Sequence, residues 1–332
     1  MIGQETNEVE RKVIAILNIL SDSQQPLGAR VIARRLSDFG IDLGERAVRY
    51  HLELMDERHF TYLVGRKDGR LITQLGLDEL NSALVADRVG AAMSKIEMLT
   101  YKTSFDPEKR VGEVPINVSL FPDDKLSQAL EVIRYYSSAK LYVSDLAAIA
   151  NEGERLGEVT VPKGKIGLAT ISDIVIGGVL LKAGIRLDFR FAGILQIRNH
   201  ECLRFADLIE YTGSSRDPSG IFLASKMTSV SSVVKEGNGK ILASFCELPA
   251  LALSKAEIFI EKLETAGIDG LVKIGRVGDS VCETVVGRGK VGMILSDGLN
   301  LVAIAVEAGI EVINHTMSGV IDFAKLKSFK EL

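Results

Sequence analysis

The sequence predicts a multi-domain protein, an α-rich winged helix-turn-helix followed by a mixed α/β domain with an internal pseudo-duplication of βα units. Three observations predict it. Amphipathic helical periods and then a hairpin signal fill the first 75 residues, strand-like apolar runs alternate with helical periods from about residue 100, and one strand-turn-helix phrase occurs twice in that second part. At 332 residues the chain also exceeds the length at which a single hydrophobic core stops growing, roughly 250–300 residues. The expected division is a module at 1–75, a linker helix over 76–110 and an α/β domain at 111–332.

Composition excludes several classes. Aromatic residues make up 6% and charged residues 25%, with Val, Ile, Leu, Ala and Gly plentiful, the mix of a foldable α/β protein. A formal net charge of −4 argues against coating nucleic acid non-specifically, which requires many Lys and Arg contacts to phosphate, so any nucleic-acid face is local. Cys202, Cys246 and Cys282 show no CxxC or Cys/His spacing, and neither a disulfide framework nor a zinc site is expected. The opening MIGQETNEVERK is acidic and polar, and about 18 apolar residues never run uninterrupted. A cytoplasmic protein without a membrane partner is the expectation.

In the first module, Val9, Val13, Ile16, Leu17 and Leu20 recur at helical spacing and stop at the polar stretch 21–26. A second short helix buries Val31, Ile32 and Leu36, and a third runs from about Glu45 to Arg58 with Val48, Leu52 and Met55 inward. Arg46, Arg49 and Tyr50 lie three to four residues apart on one face of that third helix, where an Arg fork can grip a guanine edge or a phosphate. The runs 60–64 and 70–73 flank Gly65–Gly69, whose Asp68-Gly69 pair signals a hairpin with Arg66, Lys67 and Arg70 at its tip, a wing set to touch a DNA backbone. Taken singly, each arginine also reads as solvated surface; the order of three helices and a basic hairpin favours double-stranded DNA as partner. Asp38, Glu45, Glu53, Asp56 and Glu57 largely cancel the module's charge, so specificity through a homodimer is expected.

A helical pattern over 76–99 carries Leu77, Leu80, Leu84 and Val85, which suits either packing on the first module or dimerisation. Strand 113–120, a helix from Asp124 to Tyr136 and a strand at Leu141–Val143 then open the α/β domain. Lys165–Leu187 laid over Lys290–Val312 without gaps aligns the lysine, the following Gly167 with Gly292, and Ala-Gly-Ile at 183–185 with 308–310. Each copy reads as strand, small polar turn, helix and glycine C-cap, Gly184 and Gly309. The turns leave helix N–H groups free beside a positive dipole end, which suits a carboxylate or phosphate, whereas Ser and Asp there also read as N-caps of their own helices. Ser172, Asp173, Gly298, Asn300 and His315 are the candidate contacts for a small anionic effector, with Arg276 or Arg288 as counter-charge.

Catalytic signatures are lacking. Gly287–Gly292 fits G-x-G-x-x-G, but strand residues follow it where a dinucleotide site needs a helix, so it reads as a turn between strands. No G-x-S-x-G, HExxH or P-loop occurs, and four histidines (His51, His59, His200, His315) give no metal pattern. No enzymatic activity, catalytic residue or cofactor is expected.

The phrases Arg204–Phe222, Ser225–Val230, Ala243–Pro249 and Asp297–Asn300, in that order, resemble the NrpR family of nitrogen-regulatory transcriptional repressors, and the first 75 residues resemble the ribonuclease R type of winged helix. The resemblance implies a dimeric repressor that releases a palindromic operator when 2-oxoglutarate binds its regulatory domain. The sequence departs from the family pattern at Ser172-Asp173, where a Cys-Ser pair is expected, and at Cys246, where an arginine is expected. The alternative is an RNA-associated accessory protein, since this type of winged helix also occurs on ribonucleases.

Overall fold

A computed structural model describes residues 2–23, 25–65, 69–82, 89–136 and 141–332. The chain divides into two compact units, Met1–Val89 with Glu158–Thr160, and Gly90–Gly157 with Val161–Leu332.

The first unit holds helices α1 (Ile2–Ser21), α2 (Ala29–Asp38) and α3 (Glu45–Glu57), a hairpin of β1 (Thr61–Gly65) and β2 (Gly69–Ile72), and α4 (Gln74–Ser82). Its core is most of the set read from periodicity: Val13, Ile16, Leu17, Leu20, Ile32, Leu36, Val48, Leu52 and Met55 are fully buried, while Val9 and Val31 are half-buried at its edge. The strands pair antiparallel with Thr61 opposite Ile72, and Leu27 bridges to Arg70. Gly69 is required there, because a Cβ would stand 2.3 Å from the Leu27 carbonyl carbon and the backbone φ is +100°.

The expected linker helix over 76–110 is not one helix. α4 is described as far as Ser82, Leu84 and Val85 lie outside the described residues, and α5 (Ala91–Lys102) starts after Gly90, whose φ of 81° no continuing helix accommodates. α5 buries Ala92, Ile96 and Leu99 within the second unit, so the α/β unit begins near residue 90 and not at 111.

The second unit contains two sheets. One follows the strand order 313–315, 113–122, 165–171, 146–150, 327–328, with 320–322 also on 113–122, and the other 271–274, 290–296, 239–249, 188–198, 201–210. The strands of the unit's first half are β3 (Glu113–Pro122), β4 (Leu146–Ala150), the short β5 (Arg155–Leu156) and β7 (Lys165–Ile171), while the short β6 (Val159–Thr160) counts with the first unit. Those of the second are β8 (Asp188–Arg198), β9 (Glu201–Glu210), β10 (Gly239–Pro249), β11 (Leu271–Ile274) and β12 (Lys290–Ser296), then β13 (Ile313–His315), β14 (Val320–Asp322) and β15 (Lys327–Ser328). Helices α6 (Leu126–Tyr136), α7 (Ile174–Lys182), α8 (Pro218–Ala224), α9 (Val230–Glu236), α10 (Leu253–Thr265) and α11 (Asn300–Glu307) connect them. Leu141–Val143, expected as a strand, precedes β4 without joining a sheet; just beyond it Ser144 Oγ donates to the Gly267 carbonyl.

The duplicated phrase is β7-α7 and β12-α11, each closed by a left-handed glycine, Gly184 at φ 79° and Gly309 at φ 84°. The halves interlock. β3-β7-β4 corresponds to β10-β12-β11, but the strand after α7, β8, pairs with β10, and the strand after α11, β13, pairs with β3. Each half thus completes the other's sheet, which is why the core is continuous, running from Phe121, Leu168 and Ile194 to Phe245, Ile294 and Val302. Among the described residues no helix is long and apolar enough to cross a membrane.

Candidate functional site

Interlocking brings the two β-to-α turns together. A Cβ on Gly298 would lie 2.1 Å from the Ile171 carbonyl oxygen and 3.3 Å from Asn117 Nδ2, so glycine is what lets the second turn press on the first. The register repeats the relation: Ile116 faces Ile171 on β3-β7 and Ala243 faces Ser296 on β10-β12. Asn117 and Ser244 therefore occupy equivalent ladder positions, one against Gly298 and the other against Asp173.

Ser172 and Asp173 are 2% and 5% exposed. Ser172 Oγ donates to Asp173 Oδ1 at 3.1 Å, Ser244 Oγ donates to Asp173 Oδ2 at 2.6 Å, and the Tyr211 hydroxyl stands 3.0 Å from Ser244 Oγ. With its hydrogen committed to Asp173, Ser244 receives Tyr211's, giving a chain Tyr211 to Ser244 to Asp173. Asp173 makes no side-chain cap of α7, but Ser172 Oγ accepts the Ile174 N–H at 3.4 Å as Asp297 Oδ1 accepts the Leu299 N–H at 2.8 Å. Capping thus accounts for Ser172 and Asp297 and not for Asp173.

A third acid joins them. Asp217 precedes Pro218 and caps α8 by accepting the Ser219 N–H at 3.2 Å. Burial, reinforced by the charges of Asp297 and Asp217, pushes the Asp173 carboxyl up to about 8, against the Ser244 and Ser172 hydrogen bonds. Burial and then Asp297 push Asp217 up to about 7, opposed by Ser219, the Thr316 side chain and the Lys95 ammonium. Asp297 is raised as well, chiefly by burial, with Ser219 Oγ and the Leu299 N–H opposing. The Tyr211 phenol is held high by burial and then by the same carboxylates. At neutral pH such a cluster keeps protons, so its acids present O–H donors where isolated carboxylates would present charge.

Of the five effector candidates, Ser172 and Asp173 sit in this cluster and Gly298 lies at the contact of the two turns. The Asn300 amide is committed within the fold: Nδ2 donates to the Leu242 carbonyl at 2.8 Å and to Ser296 Oγ at 3.0 Å, and Oδ1 accepts the Leu242 N–H at 2.9 Å, which staples α11 to β10. His315 is half-buried on β13 opposite Val118, and the next residue, Thr316, is the one that hydrogen-bonds Asp217. Arg276 and Arg288 are exposed around the β11–β12 connection; Lys95 on α5 is the cation that acts on the cluster. Sequence reasoning missed Asp217, Ser244, Tyr211 and Lys95. Only Asp217 had a local signal, the Asp-Pro-Ser of a helix start. Among the described residues no group of three or more His, Cys, Asp or Glu is arranged to hold a metal. An open groove of about 790 Å³, with Glu113, Arg155, Asp322 and Lys325 in its lining, shares no residue with the cluster.

In the first unit Arg46, Arg49 and Tyr50 are exposed on α3, Tyr50 at 61%, opposite buried Val48, Leu52 and Met55. Arg49 is paired with Glu45 one turn earlier. His51 turns inward, and burial followed by the Lys12 charge lowers its pKa. Arg66 and Lys67 lie outside the described residues. Arg70, expected at the hairpin tip to touch DNA, lies in β2 opposite Leu63 and turns its side chain to α3: Nε donates to Asp56 Oδ2 at 2.7 Å and the side chain is 16% exposed, so its charge is spent inside the fold. Asp56 also accepts from Thr61 Oγ1 at 2.5 Å, which makes it the joint between α3 and the hairpin.

Residues 89–328 match the family of NrpR regulatory domains NRD1 and 2, and residues 14–80 match the ribonuclease R winged-helix domain. The chain is 38% identical, over 96% of its own length and 98% of the other, to the global nitrogen regulator NrpRI of Methanosarcina mazei. It is 32% identical over 98% of its length to the global nitrogen regulator NrpR of Methanocaldococcus jannaschii, and 31% over 89% to that of Methanococcus maripaludis, spanning 56% and 51% of those proteins. The crystal structure of a nitrogen repressor-like protein from Methanococcus jannaschii superposes with a TM-score of 0.62 at 26% identity, covering 72% of this chain and 98% of that one.

Proposed function

Because the chain belongs to the NrpR family of nitrogen regulators, we propose that it is a DNA-binding transcriptional repressor whose hold on its operator is set by 2-oxoglutarate. The observation that carries the DNA reading is the solvent face of α3, where Arg46, Arg49 and Tyr50 stand together over a helix anchored by Val48, Leu52 and Met55. That layout fits a helix whose exposed side chains read base edges in the major groove. The module's nearly balanced charge suits a homodimer, in which two weak contacts made together give one specific site.

The effector reading rests on the meeting of the two duplicated turns. A dicarboxylate finds helix N-termini from both halves there, and the acids that would repel it hold protons near neutral pH. Asp173 in its neutral form is a donor to a carboxylate oxygen. Cys246, fully buried and near Asp173, supplies no cation, so the positive charge on hand is that of Lys95, which acts on Asp217. An effector acts only through a difference in affinity between the DNA-bound and released arrangements, and a cluster shared by two interlocked halves is a place where such a difference arises. This regulator needs no catalytic residue.

The test is fluorescence anisotropy with a duplex from the upstream region of the protein's own gene, a scrambled duplex and a structured RNA. Preference for the first duplex, lost on adding millimolar 2-oxoglutarate, is expected. Preference for RNA overturns the repressor reading; specific DNA binding indifferent to 2-oxoglutarate overturns the effector reading alone.

A further inference from the structure

Cys202 and Cys282 stand 80 residues apart in the chain, yet their sulfurs lie 2.6 Å apart in the folded protein. Cys202 is on β9, opposite Ile197 of β8, and Cys282 is in the β11–β12 connection, in a turn where Cys282 and Glu283 have φ of 47° and 61°. β9 and β11 are the two outer strands of the five-stranded sheet. The sheet curls enough that Lys273 of β11 acts on Cys202 of β9, and Cys202, Val272, Val281 and Cys282 share one apolar cluster.

The chemistry of the pair is asymmetric. Cys282 donates its S–H to the Cys202 sulfur and lies 3.3 Å from the Cys202 carbonyl oxygen, while the Lys273 ammonium sits nearby. The hydrogen bond from Cys282 first, and Lys273 after it, bring the Cys202 thiol down to about 7, while the same bond raises Cys282. Cys202 is half-buried and reachable, Cys282 is 9% exposed behind it, and Cys246 is fully buried on β10. One cysteine is thus set to attack and the other to resolve.

We propose that Cys202 and Cys282 are a redox-modification site that closes to a reversible disulfide and fastens the β11–β12 connection to the opposite edge of the sheet. With a low-molecular-weight disulfide as oxidant, the Cys202 thiolate attacks one sulfur, forms a mixed disulfide and releases one small thiolate. Cys282 then gives up its proton and attacks the Cys202 sulfur, breaking the mixed disulfide and releasing the second thiolate. The protein loses two protons and two electrons, and the oxidant takes them up and leaves as two thiols.

The experiment incubates the full chain with oxidised glutathione, denatures it in acid, alkylates the free thiols and maps the peptides by mass. Wild type is expected to pass from three alkylated cysteines to Cys246 alone, two hydrogens lighter, with the Cys202 and Cys282 peptides joined. The Cys282→Ser variant is expected to retain glutathione on Cys202, and Cys202→Ser to keep Cys282 as a free thiol. Closing a loop of this length raises the melting temperature of the oxidised protein by roughly 5–15 °C, reversed by dithiothreitol. Three alkylated cysteines after oxidation, a glutathione adduct that persists on wild-type Cys202, or a bond to Cys246 overturns the proposal.

Discussion

Replacing Asp173 with asparagine measures the proton that the buried acid cluster takes up on folding. In the folded protein the Asp173 carboxyl is raised from 3.8 to about 8, chiefly by burial, while in the unfolded chain it returns to the ordinary carboxylate range. Between those values the native state holds a proton that the unfolded state has released. Stability therefore falls as pH rises across that window, by about 1 kcal/mol per pH unit for one such group, and is recovered at acid pH. The sign is opposite to that of a salt-bridged carboxylate. Asparagine is neutral throughout and can still accept from Ser244 Oγ, so the variant lacks this slope. Relative to wild type it is expected to gain about 2 kcal/mol between pH 5 and pH 7, whatever its offset at pH 5, with relaxation of Asp217 and Asp297 absorbing part of the full effect. The chain has no tryptophan, so urea unfolding followed by far-ultraviolet circular dichroism is the suitable assay. A wild type that grows more stable from pH 5 to pH 7, or a variant that tracks it in parallel, refutes the reasoning.

Further outcomes follow from the same geometry. If the cluster receives a dianion in its protonated form, the apparent affinity for 2-oxoglutarate, read by calorimetry, tightens as pH falls from about 8 to 6; the reverse trend removes Asp173 and Asp217 from the site. Arg49→Ala is expected to weaken operator binding by about 1–3 kcal/mol and to relax sequence preference, measured by anisotropy on matched and mutated duplexes. Arg70→Ala is expected instead to cost about 1 kcal/mol of stability through its partly buried pair with Asp56, leaving base preference unchanged. Gly298→Ala places a Cβ 2.1 Å from the Ile171 oxygen and is expected to lower stability by roughly 3 kcal/mol or more while disturbing effector response; an unperturbed melting curve contradicts the close contact of the turns.

Local physics was legible along the chain because it acts over a few residues. Helical spacing marked α1 to α3, Asp68-Gly69 marked the hairpin, and the repeated glycine after α7 and α11 marked the duplication, since each signal lies within one element. The exchange of β8 and β13 between the halves left no such mark, because partners as distant along the chain as Gly193 and Ala243, or Val118 and His315, are chosen by the whole sheet. Burial is likewise a property of the assembled fold. His51 and Arg70 are polar residues that sequence alone sets on a surface, and packing turns one inward and ties the other to Asp56. Asp173, Asp217 and Asp297 are ordinary turn and cap residues as letters; tertiary structure makes them one proton-holding cluster, because desolvation and mutual repulsion arise only where the three meet. The sequence by itself determined a winged helix and a duplicated α/β domain, and the interlocking of the two halves decided which of their polar residues act together.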